Sequence, residues 1–161
     1  MNNSLPRLFE LPEKVRYFFA AFLLVLTIGV SIGLVYVNRT TAMTSDGTTE
    51  HYAGSTLRDE LDIPDKYPKE IEGMLLTTHT HLISFSFIFF FLGALFYMNS
   101  IVTNGWKTFL MIEPFVSVLG TFGSIWGIRY YSASFSIVTL VFGILTYLSF
   151  YQIFALHLYH Y

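Results

Sequence analysis

The chain contains no cysteine. That removes disulfides, thiolate metal sites, thioether-linked haem and iron–sulfur clusters from consideration. Charge is scarce as well. Asp, Glu, Lys and Arg make up 12% of the 161 residues, about half the share in an average soluble chain. Net charge is −2, so there is no basic footprint for nucleic acid. Phosphate-binding loops, nucleophile elbows, HExxH and dinucleotide fingerprints are missing too, so phosphate, hydrolase and dinucleotide chemistry have no support. Any metal or cofactor must rely on His, carboxylate, Met, Tyr or backbone groups. What fills the chain is apolar: 53% is hydrophobic and 19% aromatic. The length suits a single membrane domain over residues 1–161.

Four apolar stretches are long enough to cross a hydrocarbon core, which takes about 20 helical residues. They cover residues 17–37, 82–98, 109–128 and 135–156. Inside a bilayer the backbone must satisfy its own hydrogen bonds, so each stretch is read as a helix. The expected fold is an all-α membrane protein, a four-transmembrane-helix bundle. Its first connection, residues 38–78, is a long outer loop. Asn104-Gly105 marks the second connection as a turn. Tyr17, Tyr36, Trp106, Trp126, Tyr130 and Tyr159 fall near the span ends, as an aromatic belt would. The first apolar stretch exceeds the h-region of a signal peptide, so it is read as an uncleaved helix. Arg7, Lys14 and Arg16 precede it, and Lys107 lies in the second connection. Their placement puts both termini in the cytoplasm and the long loop outside.

Small residues let membrane helices approach one another. Gly29 and Gly33 in the first span, and Gly123 and Gly127 in the third, form two such motifs. They sit at similar depth, which predicts contact between these two spans. The third span also carries Glu113, Ser117, Gly120, Ser124 and Gly127 at helical spacing. That small, polar face is expected to point into the bundle.

Ionisable groups within a membrane are costly and suggest function. Glu113 is the clearest case, and Pro114 follows it. Gln152 on the fourth span comes to comparable depth, and His157 lies nearer the inner surface. A Glu113–Gln152–His157 group could relay protons or bind a quinone head. The alternative is that Glu113 simply holds helices together. Arg129 is too far along the helix, roughly 24 Å, to pair with Glu113. It belongs at the outer boundary, against the acidic loop, a lipid phosphate or an anionic cofactor such as a haem propionate. The histidines divide by side: His51, His79 and His81 outside, His157 and His160 inside.

Thr77-Thr78-His79-Thr80-His81 reads as the head of the second span, with Thr78 as its cap. On a regular helix His79 and His81 face opposite ways. With His51 and Glu50 from the loop, they form a candidate site. Imidazole with carboxylate suits zinc, copper or iron, and imidazole also serves as a haem axial ligand. The alternative is that these histidines only hydrogen-bond to the loop. A bis-histidine haem b between facing spans is disfavoured, since no two spans offer histidines at matched depth. In the loop, Asp59, Glu60, Asp62 and Asp65 form an acidic run, and Ile63-Pro64 and Tyr67-Pro68 break any long helix.

The pairing of Glu50-His51-Tyr52-Ala53-Gly54, an EHYxG sequence, with THTH at the next span resembles small four-helix bacterial inner-membrane proteins. Those accompany c-type cytochromes and respiratory complexes. The resemblance covers roughly residues 51–93. It implies an electron-transfer setting and importance for His51, His79 and His81. The expected function is therefore a small subunit of a respiratory assembly in the bacterial inner membrane. It would contact lipid and other membrane or periplasmic subunits, and carry haem or a transition metal on its outer side. Two alternatives stand beside it. One is a non-catalytic scaffold or assembly factor that docks a periplasmic partner through the acidic loop. The other is a small oligomeric transporter or channel. The chain is not expected to be an enzyme by itself.

Overall fold

The computed structural model describes residues 10–56, 63–98, 102 and 104–158. Five helices follow in chain order: α1 (Glu13–Thr41), α2 (Ser45–Ala53), α3 (Ile71–Tyr97), α4 (Asn104–Tyr130) and α5 (Phe135–Leu158). No strand occurs among the described residues. α1, α3, α4 and α5 are long and apolar enough to cross a membrane, at about 1.5 Å of rise per residue. The connection through α2 and the short α4–α5 turn lie at one end of the bundle, here the loop end. The start of α1 and the end of α5 lie at the other, the terminal end.

The four expected spans fall inside these helices except for Met98, which is the C-cap of α3. Two readings need correction. The second spanning helix begins at Ile71, so Thr78 lies two turns inside it and caps nothing. The segment from Glu70 to Leu76 continues into the span because no proline or glycine turn separates them. The long connection is not irregular throughout, because it contains α2. Thr44 starts that helix by accepting a hydrogen bond from the Gly47 N–H at 3.0 Å, satisfying one of its free donors.

The closest helix pair is α4 with α5, and the predicted small face of α4 is its seam. Gly120 and Gly127 receive the rings of Phe142 and Phe135. A Cβ built on either glycine would lie 2.5 Å from a ring carbon. Ser124 and Thr139 hydroxyls meet at 2.7 Å, and Ser149 donates to Glu113. Each step of three or four residues down α4 is matched by a similar step up α5, as an antiparallel pair requires. Van der Waals packing of this kind drives association where lipid tails compete for every apolar surface.

The expected α1–α4 contact through glycines is not what brings these helices into the bundle. Gly29 and Gly123 have no atom within 4 Å of a built Cβ, while Gly33 faces the Tyr147 hydroxyl of α5 at 3.6 Å. The reason is geometric: α5 already occupies the small face of α4. α1 therefore leans on other elements, through Ser31 to Tyr151 at 2.8 Å and Phe22 against Phe91. Only Leu23, Val30 and Thr41 of α1 are buried.

Candidate functional site

The loop end is built by a folded connection rather than a free loop. α1 stops at Ala42, and Ala42 and Met43 both take left-handed backbone, φ 50° and 53°. This turn reverses the chain onto α2. Gly47 then passes so close to Thr41 that a Cβ would lie 2.1 Å from its carbonyl oxygen, so only glycine fits. Ser45 bonds to Ser136 of α5 at 2.5 Å, anchoring α2 across the bundle end. Gly54, at φ 87°, ends α2 beneath Pro68.

The returning segment of the loop is tied back onto α2. The Ser55 N–H donates to Lys66 O at 2.9 Å, and the Lys69 N–H donates to Tyr52 O at 3.1 Å. Glu50 pairs with Lys66 at 3.2 Å, and the Lys69 ammonium lies over the Tyr52 ring. Arg129 closes the arrangement from below, its Nε donating to Lys69 O at 2.9 Å. Its guanidinium also lies over Tyr130, 5.1 Å from the ring centre. These contacts pin the loop onto the end of α4. The run Asp59, Glu60 and Asp62 lies outside the described residues, as do Arg7 and His160.

Burial governs protonation at this end. His51 is half-buried and packed edge-on against Tyr52. Burial, with Lys69 and Lys66 nearby, lowers its pKa from 6.5 to about 4. Its imidazole is therefore neutral at physiological pH, the form that can ligate. Burial also pushes the Tyr52 phenol up to about 12 and Lys69 down from its ordinary value.

His81 stands on α3 where α3 meets α4. Its Nδ1 lies 2.8 Å from Thr77 O. A carbonyl only accepts, so Nδ1 carries the hydrogen, and in the neutral ring the lone pair is on Nε2. The ring packs on Phe122 at 5.0 Å and Phe85 at 6.2 Å, yet the residue is exposed. Depth follows from Trp126, whose indole donates to Thr78 at 2.9 Å. Tryptophan marks the membrane interface, and Phe122 lies one helical turn, about 6 Å, deeper. Below His81 an open groove of about 670 Å³ runs between α3 and α4. Phe85, Phe90, Phe115 and Leu119 line it, with Ser86 as its polar member. His79 is also exposed. Among the described residues, no three His, Cys, Asp or Glu side chains lie close enough to share one ion.

Toward the terminal end of α4, Glu113 accepts hydrogen bonds from Ser117 on its own helix and Ser149 on α5. Neither other member of the expected group is hydrogen-bonded to Glu113. Gln152 is exposed. His157 is buried, its Nδ1 2.7 Å from Ile153 O and its ring near Phe96. Sequence reading missed Thr77, Trp126, Tyr52 and Ser149 as partners. Thr77 could have been found from its place one turn before His81. The others are set by tertiary packing.

Long apolar helices, a seam of small residues and a folded polar cap define a multi-pass helical membrane protein. The chain belongs to the Aq_1264_TM family, a transmembrane helical domain whose family model matches residues 42–161. The match takes in α2 to α5 and the whole loop end. No curated protein and no solved structure matches the chain.

Proposed function

We propose that this protein is a small membrane subunit of an electron-transfer assembly that presents His81 as a ligand to haem at the loop end. A transition metal shared with a partner is the variant of the same reading. One observation carries it: the Nδ1–H of His81 is held by Thr77 O, while the residue stays exposed. Ligating histidines nearly always donate their second ring N–H in this way, which fixes the tautomer and raises ligand basicity. The surroundings fit a porphyrin better than a bare ion. Phe85 and Phe122 flank the imidazole, and the groove beneath is apolar and open at the side. An open groove with a single prepared ligand suits a subunit whose site a partner completes. Bound haem would supply one-electron chemistry, while His81 would hold and orient it and the phenylalanines would exclude water.

His79 and the neutral His51 are the further candidate ligands from this chain, and Glu50 is the candidate carboxylate. The loop end would face outward from a bacterial inner membrane, with both termini cytoplasmic.

The test is purification from the native membrane, with an optical spectrum and elemental analysis. Haem absorbance or bound metal is expected, and His81→Phe should lose it. Protein with neither would sink the reading. A scaffold role is the second reading, supported by the Arg129–Lys69 tie that orders the loop. It predicts that His81→Phe assembles normally with partners while Arg129→Gln does not.

A further inference from the structure

We infer that Glu113, Ser117 and Ser149 form a proton-exchange site in the α4–α5 seam, independent of the loop-end chemistry. The first ground is location. Glu113 lies roughly 14 Å along α4 from Phe122 toward the terminal end, within a membrane-spanning helix. Ser117 and Ser149 beside it are buried. A carboxylate at such depth is expensive unless a cation pairs with it or a proton neutralises it.

The second ground is the set of neighbours. Among the described residues no Lys, Arg or His lies within ion-pair distance of Glu113. The titratable groups on the surrounding elements are engaged elsewhere. Tyr151 bonds to Ser31 of α1, and the Tyr147 hydroxyl lies against Gly33 of α1. His157 lies on Ile153 O, and Lys107, on the same helix, donates to Tyr97 O at 2.7 Å. From α3, the buried residues over this half are Phe89, Leu92, Gly93, Leu95 and Phe96, none of which titrates. α2 sits at the loop end and does not reach this depth.

The third ground is that the serines can satisfy both states of the carboxyl. In the charged state each hydroxyl donates to one oxygen, as observed. In the neutral state the new Glu113 O–H donates to one serine oxygen. That serine then turns its own hydrogen to the carbonyl one turn back, Glu113 O for Ser117 or Leu145 O for Ser149. Neighbouring hydroxyls already make this bond: Thr121 to Ser117 O at 2.8 Å and Thr146 to Phe142 O at 2.9 Å. Uptake forms one O–H bond on Glu113 from a solvent proton, and nothing else in the protein breaks but hydrogen bonds. Glue between helices needs only one such arrangement. Pro114 adds a feature on the same turn: lacking an N–H, it leaves Leu110 O without its usual helical donor.

The test is infrared spectroscopy of the full chain in lipid nanodiscs across a pH titration, with carbodiimide labelling read by mass spectrometry. A protonated-carboxyl band should be lost reversibly as pH rises and be absent in Glu113→Gln. Ser117→Ala and Ser149→Ala should keep the band but move the pH at which it is lost. Carbodiimide adducts should map to Glu113 and fall with rising pH. A wild-type band that is absent, or that ignores pH, would overturn the proposal. Protection from carbodiimide by sodium at fixed pH would also overturn it, in favour of a cation site.

Discussion

The α4–α5 seam can be challenged at one atom. Gly120→Ala would place a Cβ 2.5 Å from Cδ2 of Phe142, 2.6 Å from Cγ and 2.7 Å from Cε2. All three are atoms of one half-buried ring in mid-seam, so the ring must move bodily. Overpacking of this kind costs about 1–3 kcal/mol. Replacing glycine within a helix returns about 0.5–1 kcal/mol. The net expectation is a loss centred on about 1.2 kcal/mol and reaching at most about 2.5 kcal/mol, a roughly 8-fold fall in the folding equilibrium constant at the centre. Gly123→Ala is the matched control. A Cβ there meets nothing within 4 Å, so it should be neutral or slightly stabilising. Gly127→Ala should fall between the two, because Phe135 is the first residue of α5 and partly exposed. Equilibrium unfolding in mixed micelles reads all three, and Phe142→Ala in the Gly120→Ala background should recover part of the loss. If Gly120→Ala were as stable as wild type, or Gly123→Ala as damaging, the seam would be wrongly assigned.

Three further outcomes follow from the loop end. His51 titrates at about 4 when folded against 6.5 ordinarily, so the unfolded loop takes up the proton first. Its stabilising contribution is complete above pH 6.5 and is lost as the pH falls through about 4; hydrogen exchange of the loop should show this, and His51→Gln should flatten it. Arg129→Gln removes a charge-assisted bond to Lys69 O and should cost up to about 1.5–3 kcal/mol, seen as faster exchange at Lys69 and Ser55. Met43→Gly relieves a left-handed residue and should stabilise the chain by about 1 kcal/mol, read as a raised Tm.

The spans were legible because a bilayer imposes one rule on every helix: a continuous apolar run. The Glu113-to-Gly127 stripe was legible too, since helical spacing alone places those residues on one face. Which helix fills that face was not. Gly29, Gly33, Gly123 and Gly127 look equivalent in sequence, and only the rings of Phe135 and Phe142 decide that α5 takes the place. α2 was hidden because Ser45–Ala53 is polar and short, and its signal is a single cap, Thr44 on Gly47. Thr78 looked like a helix start because polar residues cluster there, whereas it is the interior partner of Trp126. At the site, the histidine positions could be read, but the tautomer of His81 could not. It depends on a bond of 2.8 Å to the carbonyl of Thr77.

The most direct test of the loop-end proposal is X-ray absorption at the metal edge on protein purified from its native membrane. The proposal predicts haem iron, or another transition metal, with imidazole scattering that His81→Phe abolishes. Protein with no metal edge, or with scattering unchanged in His81→Phe, would contradict it.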